Sequence, residues 1–202
     1  MSPAPRFRAF PVLVIAAVAC ARAAAAQDDV LTALTQARTA YSAKNYQEAA
    51  TQLQTALQFL NQLLVDQLKT FLPAPPPGDA WKAEDAQGST AGMAGLSASR
   101  HYLQEGSEQT VEVEIVGNSP LIATMRVLVA NPMMMGNEGR LVTVKGQKCV
   151  EKFAAADKSG ELTCLPGSSM MVTIKGQSIP TAEALWAFAN AMDFAGLLAK
   201  FP

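Results

Sequence analysis

QKCVEKFAAADKSGELTCL, residues 147–165, is the stretch whose reading decides the fold. Two apolar-alternating segments, one ending near Phe153 and one beginning at Glu161, flank AAADKSG. That linker carries turn chemistry in Asp157, Ser159 and Gly160. A hairpin here centres between residues 156 and 157. Cys149 and Cys164 are equally far from that centre, so they face each other across the ladder. The spacing predicts a structural disulfide, and closing a loop of this size is worth about 3 kcal/mol in the chain-entropy model. A redox-active pair needs a spacing that depresses a thiol pKa, and no CxxC is present.

Outward from the hairpin stand two near-copies of one hexapeptide, VTVKGQ at 142–147 and VTIKGQ at 172–177. In each, Val-Thr-Val/Ile alternates as a strand, Lys marks the wet end and Gly is expected to permit a tight exit. The similarity covers only six positions, so they read as two strand ends in one meander rather than a duplicated unit. TVEVEIV, 110–116, alternates cleanly. Val111, Val113 and Ile115 face one way, Glu112 and Glu114 the other, as in an antiparallel sheet with one wet face. SASRHYLQ (97–104) precedes it as the expected first strand. LIATMRVLVA (121–130) is expected as a more buried strand, and NPMMMGNEG (131–139) as a long turn. TAEALWAFANAMDFAGLLAKF (181–201) closes the chain as a helix capped by Thr181.

Residues 28–72 change period. Helices are expected from Val30 to about Ala43 and from Tyr46 towards Phe71, broken at Lys44-Asn45. Asn45 can cap the second, with Glu48 three residues on. Tyr46, Ala49, Leu53, Leu57, Leu60, Leu64, Leu68 and Phe71 form one apolar stripe on an almost uncharged helix, which suggests a well-covered element. Residues 73–96 hold four prolines and several glycines and are expected to be a connector without regular structure, with Trp81 tucked against the sheet.

The expected fold class is α+β: a helical hairpin (28–72), a Pro/Gly-rich connector (73–96), and an antiparallel meander of about six strands with a C-terminal helix on one face (97–202). ARTAYSAKNYQEAATQLQTAL, with Ala37, Tyr41, Tyr46, Glu48, Ala49, Ala56 and Leu57, resembles one tetratricopeptide repeat. No second copy follows, so the resemblance implies only a helical hairpin and protein–protein contact. Residues 97–200 loosely resemble, at fold level only, small exported proteins of the PsbP/Mog1-like type and exported bacterial α+β proteins. That resemblance implies no catalytic residues.

The N-terminus reads as a secretory signal peptide over 1–26. Arg6 and Arg8 precede the apolar run Phe10 to Ala19, and ARAAAAQDD offers cleavage near Ala26. A periplasmic or secreted location follows, with the membrane touched only transiently unless Cys20 carries lipid. The segment contains Arg6, Arg8 and Arg22 and no acid. Removing it leaves 13 basic residues of 16 against 17 acidic ones, a net charge of −4. A mildly acidic chain without a basic cluster is not built for nucleic acid.

Catalytic chemistry is thinly represented. No G-x-S-x-G, P-loop, Gly-rich dinucleotide fingerprint or H-E-x-x-H occurs. His101 lies inside a strand. Met133, Met134 and Met135 are soft donors suited to Cu(I), but consecutive strand residues point to opposite faces. With His101 they are the weak metal candidates, and no cofactor is expected. The leading expectation is a non-enzymatic envelope protein that contacts another envelope protein through Tyr41, Tyr46, Leu53 and Leu60 of the hairpin. The alternative is a carrier of a small apolar ligand in a sheet–helix groove lined by Leu121, Val127, Val129, Leu185 and Phe188. A copper binder or an enzyme ranks lower.

Overall fold

The computed structural model describes residues 28–78, 80–90, 95–130 and 139–201. The expected signal peptide, Cys20 and Met133–Met135 lie outside the described residues. The described residues divide into two compact units that part between Leu63 and Leu64.

In the first unit helix α1 covers residues 28–42 and α2 begins at Tyr46, running to Lys69. The turn between them is a Schellman motif. Lys44 takes a left-handed backbone (φ 59°), its N–H bonds the Tyr41 carbonyl, and the Asn45 N–H bonds the Ala40 carbonyl. Asn45 then caps α2, its Oδ1 accepting from the Glu48 N–H at 3.3 Å. The Glu48 carboxylate does not complete the expected capping box; it accepts instead from Gln52 Nε2 at 2.7 Å.

The second unit is α+β. Among the described residues its sheet has eight antiparallel strands: β1 (Trp81–Ala83), β2 (Gln87–Thr90), β3 (Leu96–Gln104), β4 (Thr110–Gly117), β5 (Arg140–Val144), β6 (Gln147–Ala154), β7 (Ser159–Cys164) and β8 (Met170–Gln177). The order is β1-β3-β4-β8-β7-β6-β5, with β2 sharing β3's outer edge alongside β1. β5 to β8 form the expected meander, and its last strand docks on β4. Cys149 and Cys164 are direct partners on β6 and β7 and form a disulfide, with Cα atoms 4.0 Å apart.

Period two sorts each strand into two faces. One face carries Ala98, Tyr102, Val111, Val113, Ile115, Leu162, Val172 and Ile174, all 0% exposed. It packs against Val65 and Leu68 at the end of α2 and against helices α4 (Glu183–Ala191) and α5 (Phe194–Lys200). Trp81 anchors to this core as expected, its ring 5.3 Å from that of Phe188. The other face is wet, apart from a small cluster of Ile122, Val129, Val150 and Leu165 beneath α3 (Pro120–Ala130).

Four expectations are corrected. LIATMRVLVA is α3, not a strand. Ser119 and Pro120 open it, with the Ser119 hydroxyl accepting from the Leu121 N–H at 3.3 Å. Serine at the cap and proline at the first helical position are a helix start, and a continuous apolar run cannot by itself tell strand from helix. The connector is not free of regular structure, because β1 and β2 lie within it. Both are short edge strands, where a period-two signal has no room to develop. The closing helix is two, interrupted at Met192-Asp193; Asp193 caps α5 by accepting from the Gly196 N–H at 2.9 Å. Thr181 does not cap α4, whose N-cap is Ala182 without a side-chain bond.

The fourth concerns the twin hexapeptides. In the first copy Lys145 (φ 47°) and Gly146 (φ 79°) form a two-residue hairpin turn with both residues left-handed. In the second, Lys175 and Gly176 stay inside β8. Gly176 is there for space: a Cβ would lie 2.5 Å from Ile179 Cδ1 and 3.1 Å from Leu185 Cδ2.

Candidate protein-interaction surface

The helical hairpin is built with its small residues inside. Ala33, Ala37 and Ala40 on α1 and Ala49 and Ala56 on α2 are buried. Their three-, four- and seven-residue spacings put each set on one helix face. The large apolar residues are outside: Leu31, Leu34 and Tyr41 on α1, and Tyr46, Leu53, Leu57 and Leu60 on α2. Their exposure runs from 44% at Leu34 to 66% at Tyr41. Rotating about 100° per residue, Tyr46, Leu53, Leu57 and Leu60 fall within one narrow stripe beside the alanine face of α2. Leu34 and Tyr41 flank the alanine face of α1, and Leu31 lies about 60° further round from Leu34, at the rim. In an antiparallel pair both stripes fall on the same side. At the turn they meet, with Tyr41 and Tyr46 in edge contact and ring centroids 5.7 Å apart.

Polar groups around this surface are largely satisfied within the helices. The hydroxyls of Thr35, Thr39, Ser42, Thr51 and Thr55 each donate to the carbonyl four residues back. From Ala49 to Val65 α2 carries no charged residue. The stripe expected to be covered is covered only at its end. Leu68 is fully buried and Leu64 packs against the sheet unit's core, while Tyr46, Leu53, Leu57 and Leu60 lie open. Contiguous exposed apolar surface of this kind marks interaction sites.

Tyr41, Tyr46, Leu53 and Leu60 are thus brought together on one surface. Leu31 and Leu34 belong to it and were not singled out from sequence. The 33-37-40 alanine spacing was the signal that could have placed them. The five groove residues are not brought together. Leu185 and Phe188 are fully buried in the main core. Leu121, Val127 and Val129 ride on α3 over the opposite sheet face, with Leu121 and Val127 exposed. They separate because their segment is a crossover helix rather than a strand of the sheet.

On the wet face one polar row crosses five strands, and from Glu112 onward its charges alternate in sign. Partners in register are His101 with Glu112, Glu112 with Lys175, Lys175 with Glu161, and Glu161 with Lys152. His101 Nε2 lies 3.5 Å from Glu112 Oε1. Opposite charges on facing strands each contribute about 0.2–1 kcal/mol, which accounts for the row as sheet stabilisation. Between α3 and this face lies a groove of about 290 Å³, with Leu121, Met125 and Met171 at its apolar end and Glu114, Glu161 and Lys175 at its polar end. Among the described residues no three His, Cys, Asp or Glu side chains are placed to hold a metal ion. Met170 and Met171 sit on opposite sheet faces, the first in the main core and the second beside α3.

Glu151, a residue sequence reasoning did not single out, is a carboxylate buried under α4. Its Oε1 accepts from Arg140 at 2.7 Å and its Oε2 from the Trp186 indole N–H at 2.6 Å. Both oxygens are engaged, so the group locks α4 to β6 rather than facing a substrate. Tyr102 is similarly committed: its hydroxyl donates to the Pro73 carbonyl at 2.6 Å. Burial pushes its phenol above the ordinary value of 10.0, opposed in part by Arg100.

No family model matches the chain, and neither a curated protein nor a solved structure matches it significantly. Among the described residues no helix is long and apolar enough to cross a membrane. The disulfide points to a location outside the reducing cytoplasm.

Proposed function

We propose that this chain is an exported, non-enzymatic protein that works by binding another protein through its helical hairpin. One observation carries the reading: the hairpin closes on alanines and leaves seven large apolar side chains exposed on one surface. Large apolar side chains left open to solvent on a contiguous surface are what a protein contact requires. The positive n-region and apolar run before Ala26, together with the Cys149–Cys164 disulfide, support export to a periplasmic or extracellular space. The Cys149–Cys164 disulfide staples the sheet of the second unit.

Photo-crosslinking in cells tests this. A photoreactive residue at Leu53 or Tyr41 is expected to capture a protein, and the same residue at Lys152 on the wet sheet face is not. Equal capture from both places, or none from the hairpin, overturns the proposal. A second reading, a carrier of a small apolar ligand, is favoured only by the groove between α3 and the sheet. A lipid-sized adduct lost in Met125→Glu would move the assignment there.

A further inference from the structure

We propose that the partner of the hairpin surface is the hairpin of a second copy of this chain, packed antiparallel about a two-fold axis as a four-helix bundle. This rests on the reading that the hairpin is a protein contact, and it names the occupant.

Charge is the first argument. A two-fold interface brings a residue against its own copy only where the axis passes, so like charges must be absent from the centre. α2 carries none from Ala49 to Val65. The charges of the hairpin divide between its ends: Asp28 and Asp29 stand at the start of α1, while Arg38 and Lys44 outweigh the single acid Glu48 at the turn. A two-fold axis through the middle of the surface places the acidic end of one hairpin against the basic end of the other, twice over. A parallel arrangement would set acid on acid. The surface is therefore complementary to itself in one orientation.

Area is the second. Seven side chains, each about half exposed, offer on the order of 100 Å² apiece. That is roughly 700 Å² per copy, close to the roughly 800 Å² per partner of a standard stable interface. Composition agrees. Two tyrosines at the turn and leucines along both helices provide aromatic anchors at the ends and aliphatic packing between, as in the core of a bundle.

The test is the mass of the oxidised, exported protein by light scattering and native mass spectrometry over a hundredfold range of concentration. The expected result is a particle of twice the chain mass that dissociates on dilution. Leu53→Asp with Leu57→Asp should weaken association by roughly tenfold or more while leaving thermal unfolding of the sheet unit intact. Two further variants separate assembly from hairpin folding. Reversing the acidic end (Asp28→Lys, Asp29→Lys) should weaken the dimer, and adding Arg38→Glu and Lys44→Glu to the same chain should restore it. A dimer indifferent to the leucine variants, or charge reversal without rescue, overturns the proposal. A monomer at every concentration also overturns it. If Leu53 still captures a different protein in cells, the contact reading stands without the dimer; if it captures nothing, both fall.

Discussion

Gly160 and Gly176 face each other across β7 and β8, and the side chain of Leu185 from α4 occupies the space their missing Cβ atoms leave. A Cβ at Gly160 would lie 2.9 Å from Leu185 Cδ1, and one at Gly176 would lie 3.1 Å from Leu185 Cδ2. The glycine pair is a slot that lets the helix approach the sheet.

Gly176→Ala is therefore expected to destabilise. Alanine in a strand gains about 0.5–1 kcal/mol from lower chain entropy, but overpacking a filled core costs about 1–3 kcal/mol. Ile179 and Leu185 are fully buried, so overpacking wins. The atom nearest the new methyl is Ile179 Cδ1, which Ile179→Val deletes. The penalty of Gly176→Ala in urea unfolding should shrink in the Ile179→Val background. A penalty unchanged by that deletion would sink the slot. Gly146→Ala should also destabilise, by left-handed strain at φ 79°, and Ile179→Val should not relieve it.

The disulfide should hold about 3 kcal/mol of stability, acting on the unfolded chain across a separation of 15 residues. Both cysteines are fully buried. Reductant alone is expected to leave the bond intact, whereas reductant with denaturant should open it and lower the unfolding midpoint. Rapid thiol labelling under native reducing conditions would contradict this.

The lock between α4 and β6 predicts unequal effects of its two donors. Trp186→Phe removes the N–H from Glu151 Oε2 and leaves a buried carboxylate short of a partner, a loss of about 1.5–3 kcal/mol. Arg140→Ala should cost less, about 1 kcal/mol, because the Arg140 side chain is 69% exposed and water takes its place at Glu151 Oε1 once it is removed. Denaturant midpoints of the two variants decide it, and an equal loss would refute the assignment of the indole as the main tie.

What could be read without coordinates follows the range of each signal. The Cys149–Cys164 pairing, the TVEVEIV alternation and the break at Lys44-Asn45 depend on neighbours a few residues away, where turn chemistry and period act directly. The β4–β8 pairing joins strands more than fifty residues apart, and no local pattern encodes it. α3 is a helix where its apolar run suggests a buried strand, because a continuous apolar run carries no period and Ser119-Pro120 sets the helix start. The hairpin stripe was legible from Tyr46 to Leu68, but its cover was not. Periodicity states that a face is apolar, not whether this chain or another one buries it. That is why Leu68 and Leu57, which read alike in sequence, end fully buried and exposed.

Tyr102 makes stability depend on alkaline pH. Its hydroxyl is buried and donates to Pro73, so the folded state favours the protonated phenol and its pKa lies above the unfolded value of 10.0. A raised folded pKa gives stability that is fully present below pH 10.0 and is lost as pH rises above that value through the folded pKa. Desolvation is the larger cause and Arg100 opposes it, so the window opens above the ordinary tyrosine range rather than at neutrality. Tyr102→Phe should cost about 1 kcal/mol at neutral pH for the lost hydrogen bond. It should also flatten the decline in unfolding midpoint above pH 10.0, and the two curves should converge there. Parallel curves for the two proteins across that range would show that another group drives alkaline unfolding, because deleting the phenol removes the only proton this argument invokes.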